Sequence, residues 1–315
     1  MNGIPYVHTP VLLAEVLELL SPQKANAVLV DANLGEGGHA EAFLRAFPSL
    51  ILLGVDVDRE VTEVAAERLA SFAPRVRIFQ KWSEEFFLNY DSYYSEKPDR
   101  ILFDLGISAF HYEKGGRGFS FRKDEPLDMR LHTDLDRSAQ DIVNGCSEEE
   151  LSQIFFRYGE ERFARRIASS IVRARMQQPI VSSLRLAEIV ALAVPGRYRH
   201  GRIHPATRCF QALRLAVNRE LEELKGALEG AFRVLKREGR IGVISFHSLE
   251  DRIVKHFFRE KNKTCTCPPA WPICKCGGQR ELKILTGKPI RPKSEEESRN
   301  PASRSARLRV VEKLV

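Results

Sequence analysis

Hydrophobic positions in the first third of the chain fall into short unbroken runs separated by polar, amphipathic stretches of helix length. The runs at 27–31 (Ala-Val-Leu-Val-Asp), 51–56 (Ile-Leu-Leu-Gly-Val-Asp), 76–79 (Val-Arg-Ile-Phe) and 101–104 (Ile-Leu-Phe-Asp) predict four strands. Such runs suit strands buried on both faces of a parallel sheet, and a helix predicted over 61–72 links the second to the third. After residue 108 the texture changes to glycine and arginine, and then to helical periodicity. Helices are predicted at 147–158, where Ser147 and Glu150 have capping-box spacing, at 162–177, and at 183–193, which Pro195 and Gly196 stop. The α/β pattern resumes with a long helix over 208–236, a strand at 240–246 and a helix at 249–260, and two further strand candidates lie at 282–285 and 308–312. The pattern predicts an α/β, Rossmann-like sheet domain made of 1–112 and 205–315, interrupted by an inserted helical domain over 113–204.

Composition narrows this picture. The chain has 315 residues, 43% of them hydrophobic, enough to bury a sizeable core. Forty-nine Lys and Arg against 42 Asp and Glu give a net charge of +7, which favours a polyanionic partner without requiring one. No apolar run approaches the 18 or so residues of a membrane span, and the start lacks a basic-then-apolar leader, so a cytoplasmic protein is expected. Cysteine is sparse until Cys265, Cys267, Cys274 and Cys276. In a reducing compartment four thiolates at this density could close a structural zinc site, although the Cys-x-Cys spacing is one residue tighter than the usual pattern.

Candidate chemistry lies at the strand ends. Asp31-Ala32-Asn33-Leu34-Gly35-Glu36-Gly37-Gly38-His39 falls where the first strand turns into a helix, the place where open α/β sheets bind ligands. Gly37 and Gly38 are adjacent, so the loop does not spell the dinucleotide fingerprint, and a nicotinamide-dependent reductase is disfavoured. Asp56 ends the second strand about twenty residues on, where a carboxylate accepts hydrogen bonds from ribose hydroxyls. A glycine loop with such an acid fits an adenosine cofactor lacking phosphates. S-adenosylmethionine is one, with an ammonium to suit Asp31 and a carboxylate to suit the loop amides. The plain alternative is a tight turn whose glycines serve geometry alone. Trp82, after the third strand, either stacks on the adenine or belongs to the core, and Asp104, ending the fourth, either binds cofactor or accepts from a target amine.

Eight segments then carry a resemblance. His8 to Leu13, Gly35 to His39, Asp104 to Ser108, Arg117 to Phe121, Pro126 to Arg130, Tyr158 to Arg162, His204 to Arg208 and Ser245 to Arg252 together resemble the bacterial 16S ribosomal RNA cytosine-N4 methyltransferase family, in order and over nearly the whole chain. The resemblance implies an S-adenosylmethionine-dependent methyltransferase domain interrupted by a helical substrate-recognition domain. Its substrate would be a decoding-centre cytosine of 16S ribosomal RNA in the small ribosomal subunit, with neither DNA nor a membrane as partner. It places Gly37, Gly38, His39, Asp56, Trp82, Asp104 and His111 at the cofactor, beside Gly35 of the same loop; the choice between a cofactor and a catalytic role for Asp104 stays open. Trp82 stands where the family more often has phenylalanine. His111 departs from the family too, because residues 108–113 read Ser-Ala-Phe-His-Tyr-Glu where a Ser-Ser-x-Gln-Leu-Asp stretch is expected.

An RNA base must be splayed out while cations grip its backbone. Arg117, Arg130, Arg208, Arg304 and Arg307 are the candidates for that grip, and His247 and Ser248, just past the 240–246 strand, for the substrate side of the pocket. A catalytically silent RNA-binding assembly factor is the rival reading, against which the retained glycine loop, Asp56 and Asp104 argue.

Overall fold

A seven-stranded sheet carries the first of two compact units, which comprises residues 1–107 and 221–315. In the computed structural model the described residues are 10–113, 115–199, 201, 203–265, 267, 271–273, 275 and 278–315. The strands are β1 (Val28–Asp31), β2 (Ile51–Asp56), β3 (Val76–Gln80), β4 (Arg100–Asp104), β5 (Arg240–Ser245), β6 (Leu282–Ile284) and β7 (Arg307–Lys313), in spatial order β3-β2-β1-β4-β5-β7-β6. The first five run parallel, and β7 runs antiparallel between β5 and β6.

Both faces of the sheet are covered, which is why its strands read as unbroken apolar runs. On one face Val28, Val30, Leu53, Val55, Ile101 and Phe103 pack with Phe86, Phe87, Leu228 and Phe258 from helices. On the other, Leu29, Leu52, Leu102 and Ile244 pack with Val16, Leu20, Phe43 and Leu69. The chain winds outward from β1 to β3, then crosses back to place β4 on the other side of β1. This reversal leaves a crevice at the carboxyl ends of β1 and β4, the switch point where open α/β sheets bind ligands.

The second unit, residues 108–220, is helical. Its main helices are Ala139–Gly145, Glu148–Gly159, Ala164–Gln177, Ser183–Ala193 and Ala206–Asn218. The Ser147–Glu150 capping box is present, and a second joins Ser138 and Asp141. A Cβ at Gly159 would lie 2.7 Å from the Arg208 carbonyl oxygen, so glycine lets Glu148–Gly159 close on Ala206–Asn218.

Two expectations change. The helix expected over 208–236 is two helices, Ala206–Asn218 and Glu220–Val234, broken at Arg219 with φ +50°. Asn218 accounts for the break: its side chain accepts from Leu131 N–H at 2.8 Å and donates to the Met129 carbonyl at 2.8 Å, tying the helix end to a loop of its own unit. The units accordingly divide at 108 and 220 rather than at 113 and 204. Among the described residues no helix is long and apolar enough to cross a membrane.

Gly54 links the sheet to the turn that follows β1. A Cβ there would lie 2.7 Å from Leu34 Cδ2 and 2.9 Å from Cδ1, while Leu34 N–H donates to the Val55 carbonyl at 2.9 Å. Leu34 is itself buried, so making room for a Cβ means repacking the core around its side chain. Gly54→Ala is therefore expected to destabilise the protein by about 1–3 kcal/mol, as overpacked cores do. Urea denaturation followed by circular dichroism measures it, and a variant as stable as the parent would show that the turn can yield.

Candidate functional site

The site is built on the turns that leave β1, β2 and β4. Asp31 closes β1 and is 2% exposed. Ala32 N–H still pairs with the Leu102 carbonyl at 2.8 Å, so the β1 end stays in register with β4 while the chain turns away. The Gly35 N–H donates to Asp56 Oδ2 at 2.9 Å, and Asp56 Oδ1 accepts from Asp58 N–H at 3.0 Å. Asp58 in turn caps the helix Arg59–Leu69, accepting from Glu60 N–H at 2.9 Å. Asp56 thus staples the glycine loop to the end of β2.

Gly37 and Gly38 have separate reasons to be glycine. Gly37 has φ +78° where the helix Gly38–Ala46 begins, a conformation that costs other residues about 1–2 kcal/mol. A Cβ at Gly38 would fall 2.7 Å from Pro10 Cγ. One residue on, His39 is 4% exposed, with Nε2 3.0 Å from the Val11 carbonyl and Nδ1 3.3 Å from Asp104 Oδ2. His39 therefore connects three segments that are distant in sequence: the chain near Val11, the helix after β1 and the end of β4.

Around this connection, Asp31 Oδ1, Asn33 Oδ1 and Asp104 Oδ1 are buried oxygens that meet no hydrogen-bond partner among the described residues. An unpaired buried acceptor costs about 1–3 kcal/mol, more when charged, so three together call for donors from a ligand. All three are acceptors, so the ligand must present N–H or O–H groups, and a cation satisfies them best. An ammonium, with three donors and a positive charge, fits this set, as does the amino-acid end of S-adenosylmethionine.

The electrostatics agree. Burial raises the Asp31 carboxyl to about 7, with the charges of Asp104 and Asp56 adding to it and His39 and the Asn33 N–H opposing. Burial alone would lower the His39 imidazole, but its hydrogen bond to Asp104 and the charges of Asp104 and Asp31 outweigh this and raise it.

The remaining sequence candidates divide. Trp82 is half-buried just before the helix Ser83–Leu88, and the Ser83 hydroxyl donates to the Ala32 carbonyl while Lys81 N–H donates to the Asp56 carbonyl at 2.9 Å. These bonds hold Trp82 beside the ends of β1 and β2. His111 belongs to the second unit, where it is buried with Nδ1 3.3 Å from the Ser108 carbonyl and its ring edge-on to Phe119.

Several residues expected to touch RNA are engaged within the fold. Arg130 makes a two-pronged contact with Asp128 at 2.7 and 3.0 Å and reaches the Thr133 and Leu135 carbonyls. Arg117 donates to the Arg130 carbonyl at 3.1 Å, and Arg307 to Asp251 at 3.0 Å. His247 caps the helix Ser248–Lys261, its Nδ1 accepting from Glu250 N–H at 3.4 Å, and Ser248 is the first residue of that helix. Arg208 and Arg304 are exposed. Cys274 and Cys276 lie outside the described residues; Cys265 is exposed, and the half-buried Cys267 Sγ accepts from the Lys275 N–H at 3.3 Å.

Sequence reasoning did not single out Asn33 as a site residue, although it stands inside the quoted loop motif, and gave no sign that His39 and Asp104 touch. It also missed Glu250, whose Oε2 accepts from the Phe246 and His247 N–H groups at 2.8 and 3.2 Å and holds the turn after β5.

Comparison with known proteins adds to the geometry. The MraW methylase family matches residues 5–314. A protein of Treponema denticola named ribosomal RNA small subunit methyltransferase H is 54% identical, over 98% of each chain. Its namesake in Geotalea uraniireducens is 47% identical over the same share, and that of Treponema pallidum is 43% identical over 97% of this chain and 92% of its own. Among solved structures, an rRNA methylase from Streptococcus thermophilus aligns over 96% of this chain and 94% of its own, at 12% identity and a TM-score of 0.42.

A ligand ammonium beside Asp31 stabilises the carboxylate and lowers its pKa from about 7. Binding must then release a proton below pH 7, and affinity should rise as pH approaches 7 and level off above it. Calorimetry with S-adenosylhomocysteine in two buffers of different ionisation enthalpy at pH 6 measures that proton. Asp31→Asn should bind more weakly and without the release, whereas an unchanged proton count would remove Asp31 from the site.

Proposed function

Because the chain belongs to the MraW methylase family, we propose that it transfers a methyl group from S-adenosylmethionine to the N4 amine of a decoding-centre cytosine of 16S ribosomal RNA, acting on the small ribosomal subunit in the cytoplasm. The observation that carries the cofactor is the pair of unpartnered buried oxygens on Asp31 and Asn33 at the switch point. The ribosomal RNA substrate rests on the names of relatives matched over nearly their whole lengths. The choice of the cytosine amine rests on the sequence resemblance.

In this reading each residue has a limited task. Asp31 and Asn33 receive the ammonium, and Asp56, already oriented by the Gly35 and Asp58 N–H groups, accepts from ribose hydroxyls. Trp82 offers a ring to the adenine. The bound cofactor supplies an electrophilic methyl on a sulfonium. Asp104 carries the step that limits the chemistry: the lone pair of an exocyclic amine is delocalised into the ring and must be freed as the methyl approaches. With Oδ2 fixed by His39, the open Oδ1 can accept from the amine N–H and favour the charge that grows on nitrogen. Transfer of the methyl from sulfonium to nitrogen would leave a neutral thioether, and the nitrogen would shed one proton to Asp104 or to water. His39 acts as a positioning residue through Asp104.

Asp104→Asn keeps the shape and removes the charged acceptor. Its loss should fall on turnover, by roughly 10- to 100-fold for one charge-assisted bond, with a smaller change in cofactor affinity. Single-turnover methylation of small subunits from cells lacking the enzyme, with mass mapping of the modified nucleotide, tests this. Wild-type rates would exclude Asp104 from the chemistry, and a methyl on any atom but N4 would overturn the substrate assignment. Asp56→Ala should weaken cofactor binding by about 1–3 kcal/mol while the protein still folds. Isothermal titration measures it, and unchanged affinity would reduce Asp56 to a staple.

A further inference from the structure

The second unit has an uneven distribution of charge. From Arg157 to Glu220 the sequence holds thirteen arginines, no lysine and four glutamates, whereas acids outnumber bases over 113–156. Some of these arginines serve the fold: Arg214 pairs with Glu220 at 2.9 Å, Arg175 donates to the Val143 carbonyl at 2.7 Å, and Arg199 reaches the Leu192 and Val194 carbonyls. Others are not explained by folding. Arg162, Arg165, Arg166 and Arg197 are exposed, and no carboxylate pairs with them among the described residues.

Part of this set is organised around two rings. Phe163 and Tyr198 meet edge to face at 5.0 Å, and the Arg162 guanidinium lies 4.7 Å from one ring centre and 4.6 Å from the other. Arg208 reaches the Glu160 carbonyl at 3.3 Å and the Tyr198 hydroxyl at 3.5 Å. Arg197 adjoins Tyr198 in the short helix Gly196–Arg199. Arg165 and Arg166 occupy the first turn of Ala164–Gln177, which has no acidic residue and no side-chain cap. Positive charge there opposes the helix dipole, at about 0.3–1 kcal/mol each for exposed groups, and an anion bound outside would offset that cost.

We infer that Arg162 and Arg208 on Phe163 and Tyr198, continued by the exposed Arg165 and Arg166 of the adjoining helix turn, form a surface that docks the phosphodiester backbone of RNA. The inference rests on the reading of ribosomal RNA as substrate and adds a surface lying wholly within the second unit. The residue chemistry selects RNA over an acidic protein. The cations are all arginine, whose planar fork grips phosphate in two places and stacks on bases, and half-buried aromatic rings beside them offer the platform on which an unpaired base stacks.

The test uses the full chain and a transcript of small-subunit ribosomal RNA. Filter binding across a salt series compares the wild type, Arg165→Glu with Arg166→Glu, and Arg165→Lys with Arg166→Lys, with S-adenosylhomocysteine titrated against each. The glutamate pair should bind the transcript at least about ten-fold more weakly at 0.1 M salt and lose roughly 1.4–1.8 from the log–log salt slope, the share of two phosphate contacts. The lysine pair should retain that slope, and cofactor affinity should stay unchanged in both. Tyr198→Leu should cost a few-fold with the slope intact, because it removes stacking and no charge. A glutamate pair that binds like the wild type, with the same slope, overturns the proposal and leaves the substrate reading standing. A polyglutamate chain of equal charge that displaces the transcript as well as unlabelled RNA does would assign the surface to acidic proteins instead. A wild-type chain with no saturable binding to the transcript overturns this proposal, and one that also fails to bind small subunits from cells lacking the enzyme overturns the substrate reading with it.

Discussion

The contact on which the candidate site depends is the His39 imidazole held between the Val11 carbonyl and the Asp104 carboxylate. The sheet alone brings β1 and β4 side by side, but it does not fix where a side chain beyond the β4 end points. His39 does so from the first turn of the helix after β1, and both ring nitrogens are occupied in the process. The connection stands on the two glycines before it: Gly37 supplies the left-handed turn, and Gly38 allows Pro10 to lie against the helix start. The same bond that orients Asp104 leaves its other oxygen open.

Leaving acceptors open is costly in a protein interior, and three such oxygens stand at this site. Asp31, Asn33 and Asp104 each keep one buried oxygen unpaired, while the neighbouring Asp56 is engaged by the Gly35 and Asp58 N–H groups. A cofactor ammonium on Asp31 and Asn33 and a substrate amine on Asp104 together recover that cost, which is how a site can be both specific and tight without moving. Burial raises Asp31 to about 7, so the free protein can hold a proton there that the ligand displaces.

Much of this was legible in the sequence, for positional reasons. Apolar runs of strand length set the parallel sheet, and an acid or glycine placed where such a run ends is a site candidate wherever strands are parallel. Gly35, Asp56 and Asp104 were visible on that rule. What stayed hidden depends on contacts between distant segments or on backbone choices without a residue signature. Nothing in the sequence says that His39 reaches Asp104. The helix break at Arg219 has φ +50° in a residue that gives no sign of it, and Asn218, which causes the break, looks like any polar helix residue. His247 resembles a pocket histidine, yet its ring caps a helix, a task usually left to serine, threonine or aspartate. Arg130 suggests a phosphate contact until Asp128, two residues away, is seen to hold it.

The central claim is that the buried acceptors of Asp31 and Asn33 at the switch point exist to receive an ammonium. The most direct test is calorimetric binding of S-adenosylhomocysteine beside its deamino analogue, identical except for hydrogen in place of the ammonium group. Loss of charge-assisted bonds to buried oxygens is worth about 1.5–3 kcal/mol, so the account predicts an affinity lower by roughly 10- to 100-fold for the analogue. Equal affinities would mean that Asp31 and Asn33 are not where the cofactor's amino group sits, and would contradict the account.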